Sequence, residues 1–125
     1  MEEYYLERTV SEADLDDLNH VNNIVYLRWV QEVAGAHWFA KAGKNTGYLW
    51  VVRKHEIEYF APAVWGDKIT LCTWVERMEG LSSFRRVEIR KGEKILCSCL
   101  TNWIMLDGKT KRPKQIPDQI AKLFI

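Results

Sequence analysis

Along this chain the apolar residues recur with two different periods, and each switch of period marks a change of element. Tyr4 to Val10 has the character of a short first strand. Ser11 to Asn22 is polar and Asp-rich, a loop that ends at a helix N-cap, with Asn22 the natural capping residue. From Asn23 to about Lys41 the period is helical, and Arg28, Gln31, Glu32 and Gly35 fall on one face. Almost everything else in that segment is apolar, including Ile24, Val25, Leu27, Trp29, Val30, Val33, Trp38 and Phe39. So wide an apolar arc predicts a helix mostly wrapped by other structure. Gly43 and Gly47 mark its exit.

Four strand-like runs follow, over Leu49 to Phe60, Lys68 to Arg77, Ser83 to Arg90 and Ile95 to Leu106. The second places Ile69, Leu71, Thr73 and Val75 on one side; the third does the same with Arg85, Val87 and Ile89. The last run is largely apolar, as a central strand covered on both faces should be. Gly80, Lys91-Gly92 and Asp107-Gly108 supply short turns, so these last three runs pair consecutively and antiparallel. Pro117 opens a short terminal helix ending near Phe124. The expectation is an α+β fold in the order β-α-β-β-β-β, one domain over residues 1–125, with a long central helix wrapped by an antiparallel sheet.

Composition removes several classes of function. The 125 residues carry a formal net charge of +1 with both signs interspersed. No basic run of the nucleic-acid-binding type is present. The N-terminus lacks the basic start and apolar core of a signal peptide, and no apolar stretch is long enough for a membrane span. Cys72, Cys97 and Cys99 are odd in number, and their spacing fits neither a disulfide framework nor a zinc site; His37 and His55 add no metal-like spacing. Buried reduced thiols in a cytoplasmic protein are the favoured reading. No metal or organic cofactor is expected. Six Trp point to a large aromatic core or an apolar ligand cavity.

Chemistry concentrates in one place. Asp16, His20, Asn22 and Asn23 fall within eight residues, directly before the apolar helix. Polar side chains against the start of a buried helix are costly unless they are hydrogen-bonded or used. The helix start also presents unpaired backbone N–H groups, a site for negative charge. Taken alone, Asp16 reads as a loop carboxylate making an Asx-turn or as a catalytic group. His20 reads equally as a structural histidine or as a participant.

The motif Asp14-x-Asp16-x-x-x-His20-Val21-Asn22-Asn23-x-x-Tyr26-x-x-Trp29-x-x-Glu32 resembles that of the acyl-ACP thioesterases, and is similar to the 4-hydroxybenzoyl-CoA and bacterial acyl-CoA thioesterase branch. Pro62-x-x-x-Gly66-Asp67 and Arg112-Pro113-x-x-Ile116-Pro117 look like the same family. The element order resembles its hot-dog fold across nearly the whole chain. The carboxylate at position 16 is shared by all of these branches, whereas the 4-hydroxybenzoyl-CoA enzymes have an apolar residue in place of His20.

The resemblance implies an acyl-CoA or acyl-ACP thioesterase working as a homodimer or homotetramer. It makes Asp16 the general base or the nucleophile, and the backbone N–H of Asn23 the oxyanion donor. His20 would polarise the carbonyl or hold the turn. Tyr26 would wall the substrate pocket, and Lys109, Lys111 and Arg112, with Lys114, would meet the phosphates of CoA; Arg85 and Arg86 are secondary candidates. Two other functions fit the same fold: an acyl-CoA-binding module without catalysis, and a dehydratase of 3-hydroxyacyl thioesters. The identity of the acyl group is left open.

Overall fold

A computed structural model describes residues 2–125. The elements are β1 (Tyr4–Thr9), a single 3-10 turn at Glu12–Asp14, α1 (Asn23–Ala42), β2 (Tyr48–Tyr59), β3 (Lys68–Glu79), β4 (Ser82–Lys91), β5 (Lys94–Asp107) and α2 (Asp118–Ala121). The five strands form one sheet in the order β1-β3-β4-β5-β2, every pair antiparallel. This is the predicted β-α-β-β-β-β order, and each boundary falls close to its expected place. β3 and β4 run longer than expected because only Gly80 and Leu81 separate them, with Gly80 at φ +61. A bulge between Val75 and Arg77 bends β3 before that turn.

α1 lies against the inner face of the sheet and runs opposite to β2. At its start the Tyr26 ring stands edge-on to Tyr59, 5.4 Å away, at the end of β2. Near its end Trp38 meets Trp50, close to the beginning of β2, also at 5.4 Å. Two apolar clusters result. The first gathers Val25, Tyr26, Trp29, Val30 and Val33 with Ile69, Leu71, Val87, Ile89, Leu96, Cys97 and Cys99. The second joins Trp38 to Val75, Met105, Ile116, Ile120 and Phe124, so the α2 segment closes that end. Cys97 and Cys99 point inward together, as their spacing predicts, and all three cysteines are buried and free.

The helix is less enclosed than its sequence predicts. Five strands cover one side of it; on the other, Ile24 is 74% and Phe39 51% exposed. The adjoining edge strand β2 leaves Leu49 and Val51 exposed as well. No helix among the described residues is long and apolar enough to cross a membrane.

Backbone approaches backbone most closely where β5 ends beside the loop entering β2. The Gly108 N–H donates to the Gly47 carbonyl at 2.8 Å, and a Cβ on Gly108 would sit 2.6 Å from that same oxygen. Neither partner is a flexible side chain, so strain cannot be relieved locally. Gly108→Ala is expected to lower stability by about 1–3 kcal/mol, read as a shift in the urea unfolding midpoint at unchanged slope.

Candidate active site

The segment before α1 is a pinned corner. Asp14 is 8% exposed and anchors it: Oδ2 accepts from the Ser11 N–H at 2.9 Å and from the Ser11 hydroxyl at 3.1 Å, while Oδ1 receives Nη2 of Arg28 at 3.1 Å. Its carbonyl takes the Asn22 N–H at 2.9 Å, joining the two ends of the loop. Burial alone would raise the Asp14 carboxyl, but the Ser11 and Arg28 hydrogen bonds outweigh it and hold the group below its ordinary value. Leu15 and Val21 then pair as an antiparallel bridge, and the chain reverses through Asp17, Leu18 and Asn19. Asn19 takes φ +60, a left-handed conformation that Asn tolerates.

Asp16 sits at the base of this reversal. Its N–H donates to the His20 carbonyl at 2.7 Å. Its Oδ1 accepts from the N–H groups of Leu18 at 2.9 Å and His20 at 3.2 Å. The Asx-turn foreseen as one reading of Asp16 is therefore present, and it occupies a single oxygen. Oδ2 has no donor among the described residues. His20 is half-buried and contributes its backbone to this turn; its imidazole has no hydrogen-bond partner among the described residues.

The next residues begin the helix. Asn22 caps it as expected, its Oδ1 accepting from the Ile24 N–H at 3.0 Å. Asn23 is exposed, and its N–H finds no acceptor among the described residues. Asp16 and this N–H thus stand on either side of the short stretch from His20 to Asn22. The corner leans on a segment of which only the Pro62-x-x-x-Gly66-Asp67 pattern was visible in sequence. His20 bridges Val64, and the Val21 N–H donates to the Ala63 carbonyl at 2.9 Å. The Ala63 N–H in turn donates to the Tyr26 hydroxyl at 2.9 Å.

Other predicted residues fall elsewhere. Tyr26 is 3% exposed and lies in the core with its hydroxyl engaged by Ala63, so it supports the corner from behind. Glu32, on the polar face of α1, pairs with Arg8 of β1 at 3.2 Å and with Arg28 at 3.5 Å. Lys109, Lys111, Arg112 and Lys114 are exposed in the loop after β5, where Asp107 pairs with Tyr48. That is the far end of α1, about 30 Å of helix from Asn23. Arg85, a secondary phosphate candidate, is 5% exposed on the inner face of β4, because its alternation with Val87 and Ile89 carries it inward. Arg86 faces out and is held by Ser98 at 3.2 Å and Glu76 at 3.7 Å.

A corner of this kind is a local motif; what decides its family is that the match extends over the whole fold. The thioesterase-like superfamily matches residues 10–124. The chain belongs to that superfamily. Among curated relatives, a chloroplastic acyl-(acyl-carrier-protein) hydrolase of Cuphea viscosissima is 34% identical over 79 residues, covering 62% of this chain and 19% of the relative. The chain therefore spans about a fifth of the length of that enzyme. The 1,4-dihydroxy-2-naphthoyl-CoA thioesterase Slr0204 of Synechocystis superposes with a TM-score of 0.84 at 18% identity, covering 98% of this chain and 95% of that one. The Staphylococcus aureus protein SAV2348, in complex with CoA, gives 0.86 at 13% identity, with 98% and 81% covered. At these identities the structures establish the shared hot-dog fold of this thioesterase-like chain.

The anchoring role of Asp14 has a pH signature. A carboxyl whose folded value is depressed adds stability above its unfolded value, about 3.9, and that stability is lost as pH falls through the lower folded value. Urea unfolding from pH 6 down to pH 2 is expected to show a loss beginning near pH 4 in the parent. Asp14→Asn should be less stable at neutral pH and show a shallower decline in acid.

Proposed function

We propose that this chain hydrolyses acyl thioesters of CoA or of an acyl carrier protein, with Asp16 as the reacting carboxylate. One observation carries the reading. The Asx-turn holds Oδ1 of Asp16 and leaves Oδ2 free, in the same corner where the first N–H of α1 lacks an acceptor. A carboxylate beside a preorganised donor at a helix N-terminus suits addition to a thioester carbonyl. The oxygen that gains charge meets the Asn23 N–H and the positive end of the helix dipole. Oδ2 takes a proton from the attacking water, and that proton can then pass to the departing thiolate. Direct attack by Oδ2 would instead give a mixed anhydride, which hydroxylamine would trap. In this reading the free imidazole of His20 polarises the carbonyl, and Tyr26 keeps the supporting Ala63 segment in register.

Assembly would close the distance between this corner and the basic loop. β2 is an edge strand with exposed Leu49 and Val51, next to the open side of α1. A second copy related by a two-fold axis would pair with that edge antiparallel. The Tyr48 end of one copy would then meet the Tyr59 end of the other. The basic loop of each copy, and the second half of its α1, would lie beside the helix start of its partner. A homodimer, or a tetramer built from it, is therefore part of the reading.

Asp16→Asn should lower kcat by ~10²–10⁴-fold in a thiol-release assay across an acyl-CoA panel. Unchanged turnover in a folded variant would refute the assignment. Because the oxyanion donor is a backbone group, Asn23→Ala should keep part of the activity. A loss as complete as that of Asp16→Asn would place the function in the Asn23 side chain instead.

The exposed phosphates of CoA are held loosely, so joint replacement of Lys109, Lys111 and Arg112 by Gln should raise KM with little change in kcat. Steady-state kinetics at low salt tests this, and a drop in kcat alone would contradict it.

A further inference from the structure

The inner face of the sheet carries a charge that nothing else among the described residues neutralises. Arg85 is 5% exposed, and its Nη1 donates to Nδ1 of His37 at 2.8 Å and to the Thr73 hydroxyl at 3.1 Å. A guanidinium only donates, so Nδ1 of His37 must accept and its ring proton sits on Nε2. Burial first, and the Arg85 charge next, push His37 down to about 4, which keeps it neutral. Burial draws Arg85 itself down to about 10, which leaves it cationic at neutral pH. Among the described residues no carboxylate forms an ion pair with it. A buried cation held only by neutral groups is an unfavourable arrangement unless an anion reaches it.

Arg85 also lines a cavity of about 400 Å³ between the second half of α1 and strands β2, β4 and β5. Gln31, Phe39 and Leu49, all exposed, stand on its open side, whereas Ser83 and Arg85 are buried in its wall. Trp50 and Trp103 line it too, and each carries a buried indole N–H with no acceptor among the described residues. The wall thus combines aromatic rings with one buried, uncompensated cation and two unused donors, and the exposed Lys44 lines it as well. Its size falls within the ordinary range for small-molecule sites.

We propose that this cavity receives the far end of the acyl group and selects an acyl chain that ends in a carboxylate, which Arg85 neutralises. The proposal rests on the thioesterase reading, which supplies the acyl group, and on the paired edges that set each cavity beside the partner's helix start. The aromatic wall accommodates the methylene chain or ring. The carboxylate accepts from the guanidinium N–H groups left over by His37 and Thr73. A plain alkyl chain of the same length would fill the space and leave the cation bare. Discrimination of this kind, a missing polar group opposite a buried partner, is stronger than that of an apolar pocket for one methylene.

The test compares hexanoyl-, octanoyl- and decanoyl-CoA, each against its ω-carboxy analogue, using the full chain. At the best length the ω-carboxy substrate should show kcat/KM about ten- to a hundredfold higher, the range expected of a charge-assisted hydrogen bond. Arg85→Gln should bring that ratio close to one. A second readout needs no turnover: the free dicarboxylate suberate should change the tryptophan fluorescence of Asp16→Asn protein, and its neutral diester dimethyl suberate at equal concentration should not. Equal kcat/KM for both members of every pair, with turnover intact, overturns the proposal and leaves the thioesterase reading standing. No hydrolysis of any substrate, with the suberate response still present, overturns the thioesterase reading and leaves the anion site standing. If Arg85→Gln does not fold, the parent's substrate ratio and the suberate titration still decide.

Discussion

Trp29, Val30 and Val33 on one side of α1 share a single buried cluster with Leu71, Val87 and Ile89 on the inner face of the sheet. Each fully buried side chain of this kind contributes about 1.5–3 kcal/mol. The surface ion pairs that decorate the helix, such as Arg8 with Glu32, are each worth about 0–1 kcal/mol. The seam therefore governs where α1 lies, and everything chemical follows from that placement. With the axis of α1 fixed, its first turn comes to rest against the Ala63–Val64 segment. The loop from Ser11 to Asn22 must fold back to reach it. The small polar corner is a consequence of a large apolar contact.

Within that corner most side chains do structural work, and the proposed chemistry rests on one carboxylate oxygen and one backbone N–H. Asp14 joins the loop to the helix through Arg28, Asn22 closes the helix start, and Tyr26 holds the neighbouring Ala63 segment by its hydroxyl. Asp16 divides its labour between its two oxygens. A carboxylate tethered through one oxygen by two backbone donors has little rotational freedom left to lose when a substrate arrives. Its local hydrogen bonding and its proposed chemistry are complementary.

Much of this was readable from the sequence. Alternation located the strands, a period near 3.6 located α1, and Asn22 announced the cap, because these signals are local and periodic. The inward position of Arg85 was also written in its alternation with Val87 and Ile89; its charge argued for the surface and misled. What could not be read is long-range. Nothing in the order of residues says that β2 pairs with β5, and that pairing is what sends the basic loop to the opposite end of α1 from Asp16. The Asp14–Arg28 contact spans fourteen positions and has no periodic signature. Phe39 and Ile24 looked like core because the pattern counts apolar residues without asking which chain covers them.

The edge strand β2 has a further property in the order of its charges. Its first half, Leu49 and Val51, is apolar and exposed, while beyond the bulge at Val52 come Lys54, Glu56 and Glu58. Within one chain Lys54 already reaches Glu56, at 2.8 Å. An identical strand laid antiparallel and centred near His55 would set each Lys54 opposite the other's Glu56. A slip of two residues one way would set Lys54 against Lys54 and forfeit both pairings; the other way it would exchange them for Lys54 against Glu58 and oppose Glu56 to Glu56. Of these three alignments only the one centred near His55 opposes no like charges, so in the proposed dimer the sequence of this edge would also tell it where to stop.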